Sequence, residues 1–103
     1  MKKWYPEDWL FRIEVIGVGK NNAATECRMG FEPGDAFECA YECPTGFCSK
    51  SMLKVFPIFE AVRSGGDLRN LGGSGPLTMT LVCPDGVVRY RITASRTNTE
   101  QRA

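Results

Sequence analysis

Leu77-Thr78-Met79-Thr80-Leu81-Val82-Cys83-Pro84-Asp85-Gly86-Val87-Val88-Arg89-Tyr90-Arg91-Ile92-Thr93 is the stretch that decides the fold. Residues 77–83 alternate, with Leu77, Met79, Leu81 and Cys83 on one face. Period two over this length marks a half-buried strand. Pro84-Asp85-Gly86 is a tight-turn signal, because proline presets one dihedral and glycine tolerates the left-handed one. Residues 87–93 then return, placing Val88, Tyr90 and Ile92 on the matching face. A hairpin with one apolar face has to bury that face against something.

The cover lies just upstream. Cys48, Met52, Leu53, Val55, Phe56, Phe59 and Val62 fit an amphipathic helix from about residue 47 to 63. Thr45 or Ser49 can cap its start, and Gly65-Gly66 supplies a left-handed stop. Pro57 falls inside this segment, so a kink or two abutting short helices are expected.

Further out, Phe11, Ile13 and Val15 alternate with Arg12 and Glu14, which predicts a strand over residues 10–18. After the turn Glu32-Pro33-Gly34-Asp35, residues 36–42 read as a second strand with Phe37, Cys39 and Tyr41 on one face. Residues 67–76 are glycine-rich and read as a mobile loop that Leu68 and Leu71 can pin. The order is β-β-α-β-β. The expected fold is α+β, an antiparallel sheet of about four strands with one Pro-kinked helix packed on it. A small, partly closed barrel capped by that helix is the alternative. A chain of 103 residues makes one domain. It divides into an aromatic arm (1–9), a core (10–94) and a polar, frayed tail (95–103).

Composition narrows function. There are five cysteines and no histidine. Without imidazole the usual neutral-pH base is missing, and with it the Ser-His and Cys-His nucleophilic couples. Net charge is +1, with 13 Lys+Arg against 12 Asp+Glu, so no strong field draws nucleic acid or an anionic membrane. Arg89 and Arg91 read as one solvated strand face. No apolar run approaches the ~20 residues of a membrane span, and the N-terminus lacks a signal-peptide pattern. A cytoplasmic protein with reduced thiols is expected.

The thiols follow the spacing C-x11-C-x3-C-x4-C-x34-C, without a C-x2-C pair. Zinc-ribbon and clustered ferredoxin signatures are therefore absent. Cys43 and Cys48 nevertheless flank the strand-to-helix corner, Cys83 ends a strand beside a turn, and Cys27 precedes the turn that opens the second strand. Three or four of them can converge at one end of the sheet to hold zinc or an iron–sulfur cluster. The plain alternative is separate, partly buried free thiols, with Cys39 acting as a small hydrophobe. A third reading makes Cys48 a nucleophile favoured by a helix N-terminus, with Glu42, Asp35 or Asp85 as the carboxylate base. Trp4, Tyr5 and Trp9 either cover one end of the core or form an interface.

Taken together, Cys27-x-x-Gly30-x-x-x-Gly34-Asp35-x-Phe37, then Gly46-Phe47-Cys48, Phe56-Pro57, Gly65-Gly66 and Val82-Cys83-Pro84-Asp85-Gly86 resemble a family of small, uncharacterised bacterial single-domain or tandem-repeat proteins. The resemblance covers about residues 10–93. It implies that Cys27, Cys48 and Cys83 belong to the family pattern and that Cys39 and Cys43 are extras. It also suggests a three-Cys, one-His metal site, but this chain has Gly30-Phe31 where the family has Gly-His.

The leading expectation is a non-catalytic accessory or binding module, a small subunit or oligomeric partner of a metabolic enzyme. The alternative is a metal or iron–sulfur protein using Cys27, Cys48 and Cys83, with Cys43 as a fourth ligand. A thiol enzyme centred on Cys48 comes third.

Overall fold

The computed structural model describes residues 7–97. They form strands β1 (Trp9–Val18) and β2 (Ala36–Cys39), helix α1 (Ser49–Arg63), and strands β3 (Thr78–Val82) and β4 (Val88–Arg96). Short 3-10 turns occupy Ala24–Glu26 and Leu68–Leu71. The four strands make one antiparallel sheet in the order β2-β1-β4-β3, open at both edges and not closed into a barrel. No described helix is long and apolar enough to cross a membrane.

The hairpin forms as its sequence predicts. β3 pairs with β4 from Thr78↔Thr93 to Val82↔Arg89. Cys83 N–H donates to the Val88 carbonyl at 2.9 Å, and Gly86 N–H closes the turn on the Cys83 carbonyl at 2.8 Å. Gly86 sits at φ 77°, a conformation that disfavours a side chain. β1 and β4 form the long central pair, from Trp9↔Arg96 to Val18↔Val88, with a bulge between Val15 and Gly17. At the bulge the Arg89 guanidinium lies across Gly17 and donates to the Gly19 carbonyl at 3.2 Å.

The sheet is one-sided. Phe11, Ile13, Val15, Val88, Tyr90, Ile92 and Ala94 face the core. Arg12, Glu14, Arg89 and Arg91 face water, with ion pairs Arg12–Glu38 (3.8 Å) and Arg91–Glu14 (3.3 Å). α1 covers the apolar face with Ser51, Val55, Ile58, Phe59 and Val62, and Phe59 stacks on Phe11 with centroids 4.1 Å apart.

Several boundaries differ from the sequence expectation. Trp9 belongs to β1, where Arg96 covers its ring at 4.6 Å, and β4 runs on to Arg96 in what reads as tail. Trp4 and Tyr5 lie outside the described residues. β2 stops at Cys39, and Tyr41 turns out to stack against Arg63 at 4.8 Å. Leu68 is fully buried and anchors the glycine-rich loop. The helix is turned about its axis, so Ser51 and Ile58 face inward while Leu53 and Phe56 are exposed at 73% and 47%.

α1 passes through Pro57 as one element. An interior proline costs about 3 kcal/mol relative to alanine. Burial of Val55, Ile58, Phe59 and Val62, worth about 1.5–3 kcal/mol per large side chain, exceeds that. Pro57 also lies on the exposed side of the helix.

Arg63 ties the helix end to its neighbours. It bonds Glu7 at 2.9 Å, Glu60 at 2.6 Å and the Ala40 carbonyl at 2.6 Å, and lies over the Phe11 ring at 5.0 Å. A tighter constraint sits at Gly73, where a Cβ would fall 2.5 Å from the Thr78 carbonyl oxygen and 2.8 Å from that of Leu68. Both obstacles are backbone. Gly73→Ala is expected to cost about 1–3 kcal/mol. Gly75→Ala, where a Cβ meets open space, is expected to stay within about 0.5 kcal/mol. Thermal unfolding of the two variants checks the contrast.

Candidate functional site

Four aromatic rings bring three distant segments together. Phe31, Phe37, Phe47 and Tyr90 form a chain of ring contacts with centroids 5.2, 5.1 and 5.5 Å apart along 31–37–47–90. Phe31 comes from the loop after Cys27, and Phe47 directly precedes Cys48. Their packing on the sheet draws both thiols toward the β3–β4 turn, where Cys83 stands. The Phe31 ring is buried as a packing element.

The result is a cavity of about 280 Å³ lined by Cys27, Cys48 and Cys83 together with Arg28, Lys50 and Asp85. Ser51 and Tyr90 form its inner wall, where their hydroxyls bond at 2.7 Å. The Tyr90 hydroxyl is pushed up to about 12, first by burial. The Ser51 bond opposes this rise, and the thiols of Cys48, Cys83 and Cys27 add to it.

Cys83 has the most unusual surroundings. The N–H groups of Val87 and Val88 both donate to its Sγ at 3.3 Å. Burial pushes this thiol up, but the backbone N–H groups of Val88, Val87, Asp85 and Gly86 outweigh burial and hold it below the ordinary cysteine value. The hairpin turn thus stabilises negative charge on sulfur using main chain alone. Cys48 is the N-cap residue of α1, and no side chain caps that helix end.

Four charged side chains ring the mouth. Lys50 pairs with Asp85 at 2.9 Å and holds the Asp85 carboxyl below its usual range. The Glu26 carboxylate accepts the backbone N–H groups of Ala23, Lys20 and Asn21 at 3.0–3.1 Å, the first of them doing most to lower its pKa. Arg28 is exposed and, among the described residues, within 4.0 Å of no carboxylate. Its charge still reaches Asp85, whose carboxyl it helps Lys50 to hold down.

The remaining thiols go elsewhere. Cys39 packs in the core, where burial pushes its thiol up to about 11. Cys43 is exposed and lines a separate apolar groove with Met52, Leu53, Phe56 and Pro57. Cys43 is not among the residues lining the cavity of Cys27, Cys48 and Cys83. The donor types at the cavity suit a thiophilic metal, but their arrangement does not. Among the described residues no group of three or more Cys, Asp or Glu side chains is placed to hold a metal ion. Of the carboxylates considered as bases, Asp85 lines the cavity but is committed to Lys50, and Asp35 accepts the Glu32 N–H at 2.9 Å. Sequence reasoning missed Arg28, Ser51 and Tyr90 as lining residues. The Ser51-Val55-Val62 spacing was the signal that turns Ser51 inward.

In comparisons with known proteins, no family model, curated protein or solved structure matches this chain. Function is therefore argued from the cavity.

Two stability tests bear on the site. Tyr90→Phe and Ser51→Ala each orphan a buried hydroxyl and are expected to cost about 1–3 kcal/mol. The double variant is expected to cost less than the sum, because neither partner remains unpaired. Urea unfolding of the cycle checks this. Cys39 gives a pH signature. Unfolded, its thiol ionises near 9; folded, it stays neutral to about 11. Its stabilising contribution is full below the lower value and is lost as pH rises through the upper one. Urea midpoints are expected to fall across that window in the native chain and to fall less in Cys39→Ala, where the raised Tyr90 hydroxyl still contributes a decline at the upper end.

Proposed function

We propose that this chain is a non-catalytic binding module whose ligand, a small carboxylate-bearing molecule, sits in the cavity ringed by Cys27, Cys48 and Cys83. One observation carries the reading. Three thiols separated by 20 and 34 intervening residues line a single opening beside the exposed Arg28 guanidinium. The volume of about 280 Å³ approaches the lower end of ordinary small-molecule pockets, ~300 Å³. A metal ion needs no such space. No histidine is present, and the lining carboxylates are tied up, so the site lacks a free base to move protons.

An accessory role as a small subunit also has an observation behind it. Leu53 and Phe56, with Met52 and Pro57, leave an apolar strip on the outer face of α1. Native mass determination of the full chain tests it; a monomer at working concentration, with no partner recovered from the source cell, counts against it.

The cavity reading is tested by NMR. Reduced glutathione, a small thiol with two carboxylates, is titrated into the ¹⁵N-labelled protein. Shifts are expected at the amides of Cys27, Arg28, Lys50 and Val87, with Arg12 and Glu14 on the opposite sheet face unmoved. Arg28→Glu is expected to weaken the midpoint about tenfold, the loss of one charged hydrogen bond. Absent or scattered shifts defeat the reading. Tight uptake of one zinc equivalent at the same amides replaces it with the metal alternative.

A further inference from the structure

Resting on that reading of the cavity, we propose that Cys83 captures carboxylate-bearing, low-molecular-weight disulfides as reversible mixed disulfides. The argument starts from what surrounds its sulfur. On one side Sγ accepts the Val87 and Val88 N–H groups at 3.3 Å. On the other it borders the 280 Å³ cavity. Main-chain donors fix the sulfur and favour its anion, and the thiolate is the form that attacks a disulfide. The lining charges select the class of partner. A cation gains little here, since the Glu26 oxygens already accept three backbone N–H groups and Asp85 is paired with Lys50. A carboxylate finds at the mouth the exposed Arg28 guanidinium, which is in no ion pair within 4.0 Å among the described residues.

The exchange balances without any further reagent. The Cys83 thiolate attacks one sulfur of R–S–S–R, a new Cys83 Sγ–S bond forms as the S–S bond of the reagent breaks, and the other half leaves as R–S⁻, which takes up a proton equivalent to the one Cys83 lost to water. One disulfide is consumed, and one mixed disulfide and one small thiol result. The same amides make Cys83 a good leaving group, so excess small thiol reverses the reaction. Capture is therefore reversible, as a binding module requires.

The test uses the full native chain and sets its own thiols in competition. Protein is exposed briefly to excess oxidised glutathione near neutral pH, quenched with acid and mapped by peptide mass. Cys83 is expected to carry the adduct in roughly tenfold excess over Cys43, although Cys43 is the exposed thiol. Modification led by Cys43, Cys27 or Cys48 overturns the proposal. So does failure to form any adduct under conditions where reduced glutathione still shifts the cavity amides, a result that leaves the binding reading standing. Absence of both adduct and shifts removes both. A second arm compares oxidised glutathione with cystamine, a disulfide bearing amines instead. Arg28→Glu, a surface change, is expected to reverse the native preference for glutathione, and an unchanged preference overturns the selection by charge.

Discussion

A single hydrogen bond between two buried hydroxyls, Tyr90 to Ser51 at 2.7 Å, joins the sheet to the first turns of the helix. Both side chains are almost wholly removed from water. A hydroxyl in that position costs about 1–3 kcal/mol if it lacks a partner, so the helix start and the centre of β4 must stay in register. Everything at that end of the molecule inherits the constraint. Cys48 occupies the N-cap position three residues before Ser51, and Tyr90 stands two residues beyond Val88, whose amide donates to the Cys83 sulfur. The floor of the cavity is thus also the joint between layers.

The five thiols show how far environment outweighs residue type. Cys39 and Cys83 are both buried, yet their acidities move in opposite directions. Cys39 meets hydrocarbon and nearby negative charge, and burial wins. Cys83 meets a turn whose amides point inward, and hydrogen bonding wins. The difference arises from Pro84-Asp85-Gly86, which folds the main chain around one sulfur. An apolar environment keeps a thiol inert, whereas converging amides ready it for chemistry.

Much of this was legible beforehand. Alternation at Phe11-Ile13-Val15 and at Val88-Tyr90-Ile92 is strict, and the strands follow it. Cys27, Cys48 and Cys83, three of the four thiols expected to converge at one end of the sheet, line one cavity. The failures have physical causes. Leu53 and Phe56 fit a helical stripe as well as Ile58 does, because hydropathy alone does not say which side of a largely apolar helix meets the sheet. Ser51 was passed over since a polar residue rarely sits inside, and its partner lies 39 positions away. Cys43 was grouped with the cluster because it and Cys48 flank the strand-to-helix corner, and it lines the outer groove of the helix instead of the cavity. Arg28 carries no local pattern; its role comes from what surrounds it.

The open sheet has a consequence for how this chain keeps to itself. Its margins are short, four residues in β2 and five in β3, so an incoming strand would gain few ladder bonds. Glu38 on one margin is charged, and both β2 and β3 end close to a proline or a sharp reversal. Brevity at the rim discourages fibrous stacking and lets the central pair stay long without inviting polymerisation.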